Sequence, residues 1–166
     1  MAWDNVDFVK HFYLGGGQSK TLNEIGLLAN VKSTSNTLAI DRPGGFKDQI
    51  RNKAREIKEG AVNISFDNSY SFSDVKFAMG SGTLRGNFVG TCSLVLPNKS
   101  HFTGKISIEY SDSFTDPLSV IEKLYGSSDS PNAPDWLKAI GNVGGTAYGI
   151  TGQWNDDFSG DVEIPT

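Results

Sequence analysis

The chain has 166 residues, a length that supports one domain with a sizeable hydrophobic core. Hydrophobic residues make up 37% of it and 19 residues are glycine, a composition that favours strands, bulges and turns over a helical bundle. The formal net charge of -4 argues against a nucleic-acid partner, which normally requires a basic face. We therefore expect a single domain over residues 1–166 and no nucleic-acid binding.

The single cysteine excludes an intrachain disulfide and a cysteine-based zinc site. Cys92 lies in the apolar run 92–96, which predicts an inert buried thiol rather than a nucleophile. No stretch is long and apolar enough to predict a transmembrane segment. The first residues lack a basic region followed by an apolar core, so we expect no signal peptide, and work outside the cytoplasm would require a separate delivery system.

The first 45 residues predict short elements separated by glycines and polar loops. Residues 6–14 are apolar and aromatic, which is typical of a short helix or strand, and three consecutive glycines end this element. A second short element follows, with packing positions expected at Leu22, Ile25 and Leu28. Residues 30–45 are rich in Ser, Thr, Asn, Pro and Gly, which predicts a loop.

The clearest helix is predicted over residues 46–59. One helical face carries the apolar residues Phe46, Ile50, Ala54 and Ile57, and Gly60 supplies a C-terminal stop. The opposite face carries basic side chains with acids interspersed among them. Such a face could meet an anionic lipid headgroup, but the mixed charges favour an ordinary solvated surface.

From Val62 onward the pattern predicts strands. Residues 62–66, part of 70–77 and 82–96 alternate or are rich in β-forming residues, and the glycines within 82–96 indicate bends in a curved sheet. Residues 97–100 predict a turn into the next strand. Consecutive strands joined by short turns imply an antiparallel meander.

The stretch from His101 to Leu118 joins an alternating strand to a helix through a pair of carboxylates. The buried face of this strand is expected to carry Ile106, Ile108 and Tyr110. Asp112 and Asp116 fall where the strand gives way to a turn. Polar groups at such a junction are held by a rigid element yet open to solvent, as active-site residues often are.

Two aspartates four residues apart could hold a divalent cation or act as acid and base. Asp116 before Pro117 is also the pattern of a helix start, with Asp116 as the N-cap, and the two roles are compatible. Asp112 has no comparable structural role in the sequence. We therefore favour Asp112 as the functional residue and expect Asp116 to be a helix cap first.

The C-terminal third predicts two short helices and a hairpin. Residues 117–125 form the first helix, with inward positions expected at Leu118, Ile121, Leu124 and Tyr125. Residues 134–140 form a second helical turn that Gly141 would end. Residues 146–154 and 158–164 predict a closing hairpin around Asn155, Asp156 and Asp157.

The predicted fold class is α+β, with a curved antiparallel β-sheet or partly open β-barrel and a few short helices.

Several segments share their pattern and order with a known family. They are HFYLGGG at 11–17, IGL at 25–27, the helix at 46–60, the Gly- and Leu-rich strand at 80–96, FTGKI at 102–106 and GTAYGI at 145–150. In this order, over nearly the whole chain, they resemble the C-terminal activity domain of colicin M and its relatives, bacteriocin toxins that destroy lipid II.

The signature of that family is Tyr-Asp-Asp-x-Tyr-Asp-Phe followed by a His-Arg pair. Residues 110–116 (YSDSFTD) resemble it, with one extra residue between the aromatic and the last aspartate. The resemblance implies Asp112 as the first essential aspartate and Asp116 as the last. Phe114 replaces the tyrosine, and residues 122–123 (Glu-Lys) stand where the family has His-Arg.

The resemblance implies an antibacterial toxin domain, delivered into the periplasm of a target cell, that cleaves lipid II next to its pyrophosphate with Mg²⁺. Asp112 and Asp116 would hold the metal. Glu122 could serve as a base and Lys123 as a phosphate cation, although lysine lacks the bidentate fork of arginine. The alternative favoured for this last pair is two surface positions of the short helix. The implied partners are a lipid-linked pyrophosphate substrate and, as an open expectation, a cognate immunity protein.

The missing His-Arg pair keeps a second function open. This is a non-catalytic or differently targeted toxin or binding domain on the same scaffold, acting on the bacterial envelope.

Overall fold

The computed structural model describes residues 2–127, 130–140 and 144–165. It contains one five-stranded sheet in the order β1-β5-β4-β3-β2. The strands are β1 (Lys20–Thr21), β2 (Gly60–Ser71), β3 (Ser81–Leu96), β4 (Lys99–Phe114) and β5 (Tyr148–Glu163). The helices are α1 (Asn5–Leu14), α2 (Leu28–Ser35), α3 (Phe46–Ile57), α4 (Pro117–Tyr125) and α5 (Asp135–Ile140). The sheet is open, with β1 and β2 as its edges, so the predicted α+β class with an open sheet and short helices is confirmed.

The strands β2, β3 and β4 form an antiparallel meander, as the sequence predicts. Ser69 Oγ lies 3.3 Å from Thr83 Oγ1, and Arg85 Nε donates to Asp67 Oδ2 at 3.2 Å. Residue numbers therefore fall along β2 as they rise along β3, which defines an antiparallel pair. β3 and β4 are neighbours joined by residues 97–98 alone, too short a link for the crossover that parallel strands require.

β5 is one continuous strand, which corrects the hairpin predicted around residues 155–157. The Asn-Asp-Asp tract has the composition of a turn, but its acids are matched by cations. Asp156 lies 2.8 Å from Lys32 Nζ, and Asp157 lies 3.8 Å from Lys105 Nζ on β4. Pairing with β4 along this tract outweighs the local turn preference, and β5 has a second neighbour nearer its start. This second neighbour is β1, which runs parallel to β5 with Lys20 opposite Ile150.

The chain divides into two compact units. The first comprises Met1–Val31, Ser71–Gly82 and Ser111–Gly152, and the second comprises Lys32–Tyr70, Thr83–Tyr110 and Gln153–Thr166. The buried residues of the first unit include Phe8, Leu22, Ile25, Phe72, Phe114, Ile121, Leu137 and Tyr148. Those of the second include Phe46, Ile50, Val62, Phe88, Cys92, Phe102, Ile106, Ile108 and Tyr110. Cys92 is a free buried thiol, and the predicted inward face of β4 is buried, so both predictions are confirmed.

The N-terminal part is more helical than the sequence predicts. Residues 6–14 belong to helix α1, which opens with a capping box between Asp4 and Asp7. The predicted loop at 30–45 is wrong, because α2 and a following π-helical turn, Asn36–Ile40, occupy most of it. Ala39 and Ile40 are buried, and this burial outweighs the weak helix propensity of the Ser, Thr and Asn around them. In the preceding turn Leu27, rather than Leu28, is the buried residue.

α3 begins where predicted and ends two residues earlier. Its predicted inward face is buried at Phe46, Ile50 and Ala54, while Ile57 is half-buried. Lys58 then adopts φ 69° and ψ -49°, and Glu59 N donates to Ile57 O at 2.8 Å. This is a γ-turn with a positive φ, a strained conformation for a residue with a side chain. It stops the helix before Gly60.

α4 spans the predicted residues but buries a different face. Its buried residues are Pro117, Val120 and Ile121, whereas Leu118 is 62% and Leu124 37% exposed. Apolar residues at several adjacent positions of a short helix are compatible with more than one inward face, and packing selects between them. The predicted inward positions of Leu118 and Leu124 are therefore wrong.

α5 forms at the predicted second helical turn, and Gly141, its expected end, lies outside the described residues. In the part of the chain that the structure describes, no helix combines the length and apolar character needed to cross a membrane.

Candidate functional site

Asp112 and Asp116 line one pocket of about 310 Å³ in the first unit. The walls come from the end of β4, the start of α4 and the segment 73–81 that links β2 to β3. The lining includes four serines and four large apolar residues, which are Ser73, Ser81, Ser113 and Ser119, and Phe77, Met79, Phe114 and Val120. Both predicted site residues on this stretch therefore belong to the lining of one pocket. The structure also adds a wall from 73–81 that the sequence reasoning missed, because no spacing or periodicity relates that segment to residues 112–116.

Asp112 is a strand residue, since β4 continues to Phe114. Its side chain is half-buried, and Oδ1 accepts a hydrogen bond from Ser113 N at 2.7 Å. Phe114, two residues on and therefore on the same side of the strand, is buried. Asp112 is consequently carried by a paired and anchored backbone, which suits a residue that must hold a fixed position toward a ligand.

Asp116 is the N-cap of α4, which confirms the predicted structural role. Its Oδ1 accepts a hydrogen bond from Ser119 N at 3.3 Å, and Pro117 occupies the first turn. The carboxylate lies at the helix N-terminus, where the helix dipole favours negative charge. Since Asp116 also lines the pocket, capping and ligand contact are compatible in this geometry.

Tyr148 is a neighbour of the site to which the sequence reasoning gave no role. It is buried, and its hydroxyl donates to the backbone oxygen of Phe8 at 2.8 Å. Burial raises the pKa of the Tyr148 hydroxyl, and the negative charges of Asp112 and Asp7 raise it further. Its only sequence signal was membership of the segment 145–150, which resembles a family motif.

An aromatic cluster supports this part of the first unit. It consists of Trp3, Phe8, His11, Phe114 and Tyr148, with ring centroids of contacting pairs 4.4 to 6.3 Å apart. Edge and tilted pairs at these distances each contribute about 0.5–1.5 kcal/mol beyond their burial. The cluster therefore fixes the backbone on which Asp112 and Phe114 lie.

Glu122 and Lys123 are exposed on α4, and the described lining of the pocket does not include them. Lys123 Nζ lies 4.6 Å from the ring centroid of Phe77, a cation–π distance. Because Phe77 is a wall residue, Lys123 lies beside the pocket rather than in its wall. The exposure agrees with the interpretation of these two residues as surface positions, and their catalytic roles stay a prediction.

Carboxylate oxygens, such as those of Asp112 and Asp116, are the type of ligand that Mg²⁺ prefers. Magnesium is commonly bound by one or two carboxylates together with substrate phosphates and waters. Across 2–127, 130–140 and 144–165, no group of three or more His, Cys, Asp or Glu side chains could hold a metal ion. Asp112 and Asp116 both line the pocket, and two carboxylates are fewer than such a group requires.

Comparison with known proteins gives matches among solved structures alone. No protein-family model matches the chain, and no curated protein matches it. A mutant of syringacin M from Pseudomonas syringae pv. tomato DC3000 is 18% identical, with a TM-score of 0.48 over 95% of this chain and 52% of that one. Pectocin M2 is 15% identical, with a TM-score of 0.45 over 99% of this chain and 56% of that one.

PaeM, a colicin M-like bacteriocin produced by Pseudomonas aeruginosa, is 21% identical, with a TM-score of 0.33 over 61% of this chain and 35% of that one. PaeM is thus the one of these three structures whose description names a colicin M-like bacteriocin. The chain spans about half the length of the syringacin M and pectocin M2 chains. Because every TM-score lies below 0.5, these matches assign no activity to the chain.

Proposed function

We propose that this chain is an antibacterial toxin domain that cleaves a lipid-linked pyrophosphate such as lipid II and so blocks cell-wall synthesis. The observation that carries the proposal is the pocket of about 310 Å³ that Asp112 and Asp116 line together. The resemblance of residues 110–116 to the signature of colicin M-like toxins supports it. In this proposal the domain acts in the periplasm of the target cell after delivery by a longer carrier or a secretion machine.

The proposed reaction is a hydrolysis. Water adds across the bond between the undecaprenyl chain and the pyrophosphate, releasing undecaprenol and a pyrophosphorylated disaccharide peptide. Asp112 and Asp116 would hold Mg²⁺, which when bound would supply positive charge to the pyrophosphate oxygens.

The protein groups of the pocket have separate roles in this proposal. Asp112, held on β4, would orient the attacking water, whose proton is taken up by the base proposed on α4. Asp116 is held in position by its cap at the N-terminus of α4. The hydroxyls of Ser73 and Ser113 can donate hydrogen bonds to phosphate oxygens. Glu122 and Lys123, exposed on α4, are proposed as this base and as a phosphate cation for a substrate that extends beyond the pocket.

The test is incubation of the protein with lipid II and Mg²⁺, followed by chromatographic detection of the pyrophosphorylated disaccharide peptide. We expect product from the unmodified chain, and loss of product on addition of a chelator. Absence of product, together with full toxicity of an Asp112→Ala variant directed to the periplasm, would overturn the enzymatic proposal. A cognate immunity protein, if encoded beside the toxin, is expected to suppress that toxicity.

A second candidate is a non-catalytic or differently targeted binding domain on the same scaffold. The observation that favours it is the exposed Glu122 and Lys123 where the resembling family has His-Arg, outside the described pocket lining. This candidate predicts saturable binding of lipid II or another envelope component with no product at any enzyme concentration. Calorimetry beside the product assay distinguishes the two.

A further inference from the structure

A groove of about 570 Å³ crosses one face of the sheet in the second unit. Its size lies within the range of about 300–1,000 Å³ that small-ligand sites occupy. Each of the strands β2 to β5 contributes two polar residues to its lining. The described linings of this groove and of the carboxylate pocket share no residue. We call it the polar groove.

The register of β2, β3 and β4 aligns these polar residues across the strands. Arg85 Nε donates to Asp67 Oδ2 at 3.2 Å, so residue 65 of β2 lies opposite residue 87 of β3. Gly86 lies between Phe66 and Ile108, because a Cβ at this position would meet both side chains. Residues 85 and 87 therefore lie beside 109 and 107 of β4.

The register of β4 and β5 continues the same alignment. His101 bonds Asp161 at 2.7 Å, and Lys105 Nζ lies 3.8 Å from Asp157 Oδ1. By the same antiparallel register, residue 107 lies opposite 155 and residue 109 lies opposite 153.

The polar residues consequently form two rows across four strands. The first row is Ser65, Asn87, Ser107 and Asn155, and the second is Asp67, Arg85, Glu109 and Gln153. Three interstrand spacings make each row about 14 Å long, and two residues along a strand separate the rows by about 7 Å. These proportions suit a short chain of linked units better than a single small molecule.

The floor of the groove is a packed part of the sheet. Phe66 contacts Phe46 of α3, with ring centroids 4.4 Å apart, and Ile108 is 2% exposed. Because successive side chains of a strand point to opposite faces, both rows point away from α3. The side chains of the groove are thus carried by a rigid support, as a binding site requires.

Most groups of the groove are uncharged and form hydrogen bonds. Asn87, Gln153 and Asn155 carry amides that both donate and accept, and two serines of the first row add hydroxyls. The one cation of the described lining, Arg85, bonds Asp67, so its charge is matched within the groove. This lining does not provide the net positive charge that a phosphate ligand or a nucleic acid would need.

The position of the groove on a sheet face decides between the remaining ligands. A peptide that recognises a sheet adds to an edge strand, whereas β3 and β4 have a neighbour on both sides. A second sheet packed face to face would interdigitate apolar side chains, and both rows are polar. Sugar hydroxyls both donate and accept hydrogen bonds, and they therefore match the amides and hydroxyls of the rows.

We propose that the polar groove binds a neutral oligosaccharide. Its linked rings lie along the rows, and the amide and carboxylate groups bind adjacent hydroxyls in pairs. This role uses no residue of the carboxylate pocket and does not depend on the proposed hydrolysis.

The test is titration of the isotope-labelled chain with chitotetraose and, separately, with maltotetraose, followed by NMR. We expect saturable shifts of the side-chain amide signals of Asn87, Gln153 and Asn155 with at least one of the two sugars. Asn87→Ala should raise the dissociation constant by about fivefold or more, because the hydrogen bonds of one amide are lost.

The matched control is Asn63→Ala. Asn63 is also an exposed asparagine of the sheet, but the described lining of the groove does not include it, so its substitution should leave the dissociation constant unchanged. Both variants should keep the urea midpoint of the unmodified protein, since both positions are exposed.

Absence of saturable shifts with both sugars would overturn the proposal, and so would equal effects of the two substitutions on binding. Groove signals that shift with protein concentration and not with sugar would also overturn it, and would assign the groove to contact with a second copy of the chain.

Discussion

The two ends of β4 carry similar polar side chains in different surroundings. At its first end His101 Nδ1 donates to Asp161 Oδ1 on β5 at 2.7 Å, and Lys105 Nζ lies 3.8 Å from Asp157 Oδ1, also on β5. At its last end Asp112 lines a pocket with Asp116. Polar and apolar residues alternate at both ends of β4, so the strand sequence does not distinguish them. The first end faces an acid of β5, whereas the last end lies beside the segment 73–81 and the start of α4. A charge matched across two strands stabilises the sheet, whereas carboxylates gathered at a pocket are placed to meet a ligand.

The largest expected effect is that of Asp112→Asn, which removes the charge and preserves the size of the side chain. If the proposed hydrolysis is correct, the rate of product release from lipid II should fall by about 100-fold or more. The matched change at the paired end, Asp161→Asn, should leave the rate unchanged. Equal rates for the two variants would remove the functional distinction between the ends of β4.

Ser100→Ala tests whether the first end of β4 contributes to stability. The Ser100 hydroxyl is buried and lies 2.7 Å from Lys58 O, so its removal leaves a carbonyl without this donor. We expect the free energy of unfolding in urea to fall by about 1–3 kcal/mol. Thr103→Ala, an exposed position of the same strand, should change it by less than about 0.5 kcal/mol. Equal losses would show that the buried hydroxyl has no special weight.

The pH dependence of stability tests the surroundings of Tyr148, which lies near the Asp112 end of β4. Its folded pKa is raised above the ordinary value of 10.0, so the folded state keeps the proton after the unfolded chain has lost it. The stability linked to this group is therefore fully present below about pH 10 and is lost as the pH rises through that value toward the folded pKa.

Urea unfolding at about pH 8 and about pH 11 should show a steeper loss of stability in the unmodified protein than in Tyr148→Phe. The Phe variant should also be less stable at the lower pH by about 1–2 kcal/mol, because the buried hydrogen bond to Phe8 O is lost. Identical pH slopes for the two proteins would contradict the raised pKa of Tyr148.

Two substitutions of Asp116 distinguish its role as a helix cap from a role in ligand contact. Asp116→Ala should lower the free energy of unfolding by about 1 kcal/mol, since the N-cap of α4 is lost. Asp116→Asn should retain the cap and the stability, because asparagine is an equally good N-cap, while removing the charge. If the Asn variant keeps full activity on lipid II, Asp116 is a cap alone.

The smallest expected effect is that of His101→Gln. The hydrogen bond from His101 to Asp161 joins two side chains that are each about half-exposed, and exposed polar pairs of this kind contribute about 0–1 kcal/mol. We expect a shift in thermal midpoint of at most a few degrees and no change in activity. A loss of stability as large as that of Ser100→Ala would show that this surface pair is stronger than its exposure indicates.

Local patterns predicted several elements well. α4 spans the predicted residues because Asp116 and Pro117 mark a helix start by the chemistry of the cap itself. The start of α3 and the inward face of β4 followed from apolar periodicity, which depends on neighbours in the chain. The end of α3 could not be predicted in this way, because Lys58 adopts a positive φ and a lysine in the sequence gives no indication of that conformation.

Other features depended on distant parts of the chain. β5 runs through a tract with the composition of a turn because it pairs with β4 there and because Lys32 and Lys105 lie close to its acids. Leu118 and Leu124 are exposed because packing selected the Val120 face of α4. In each case the deciding residue is far away in the sequence, where periodicity gives no signal.

The sequence by itself determined the strand that leads to Asp112, the cap at Asp116 and the spacing of the two carboxylates, since all three depend on adjacent residues. Only the tertiary structure decided that the segment 73–81 closes a pocket around them and that Glu122 and Lys123 remain outside its described lining. The physical reason is that a pocket is formed by surfaces from separate elements. Their meeting depends on how the whole core packs, which no local pattern records.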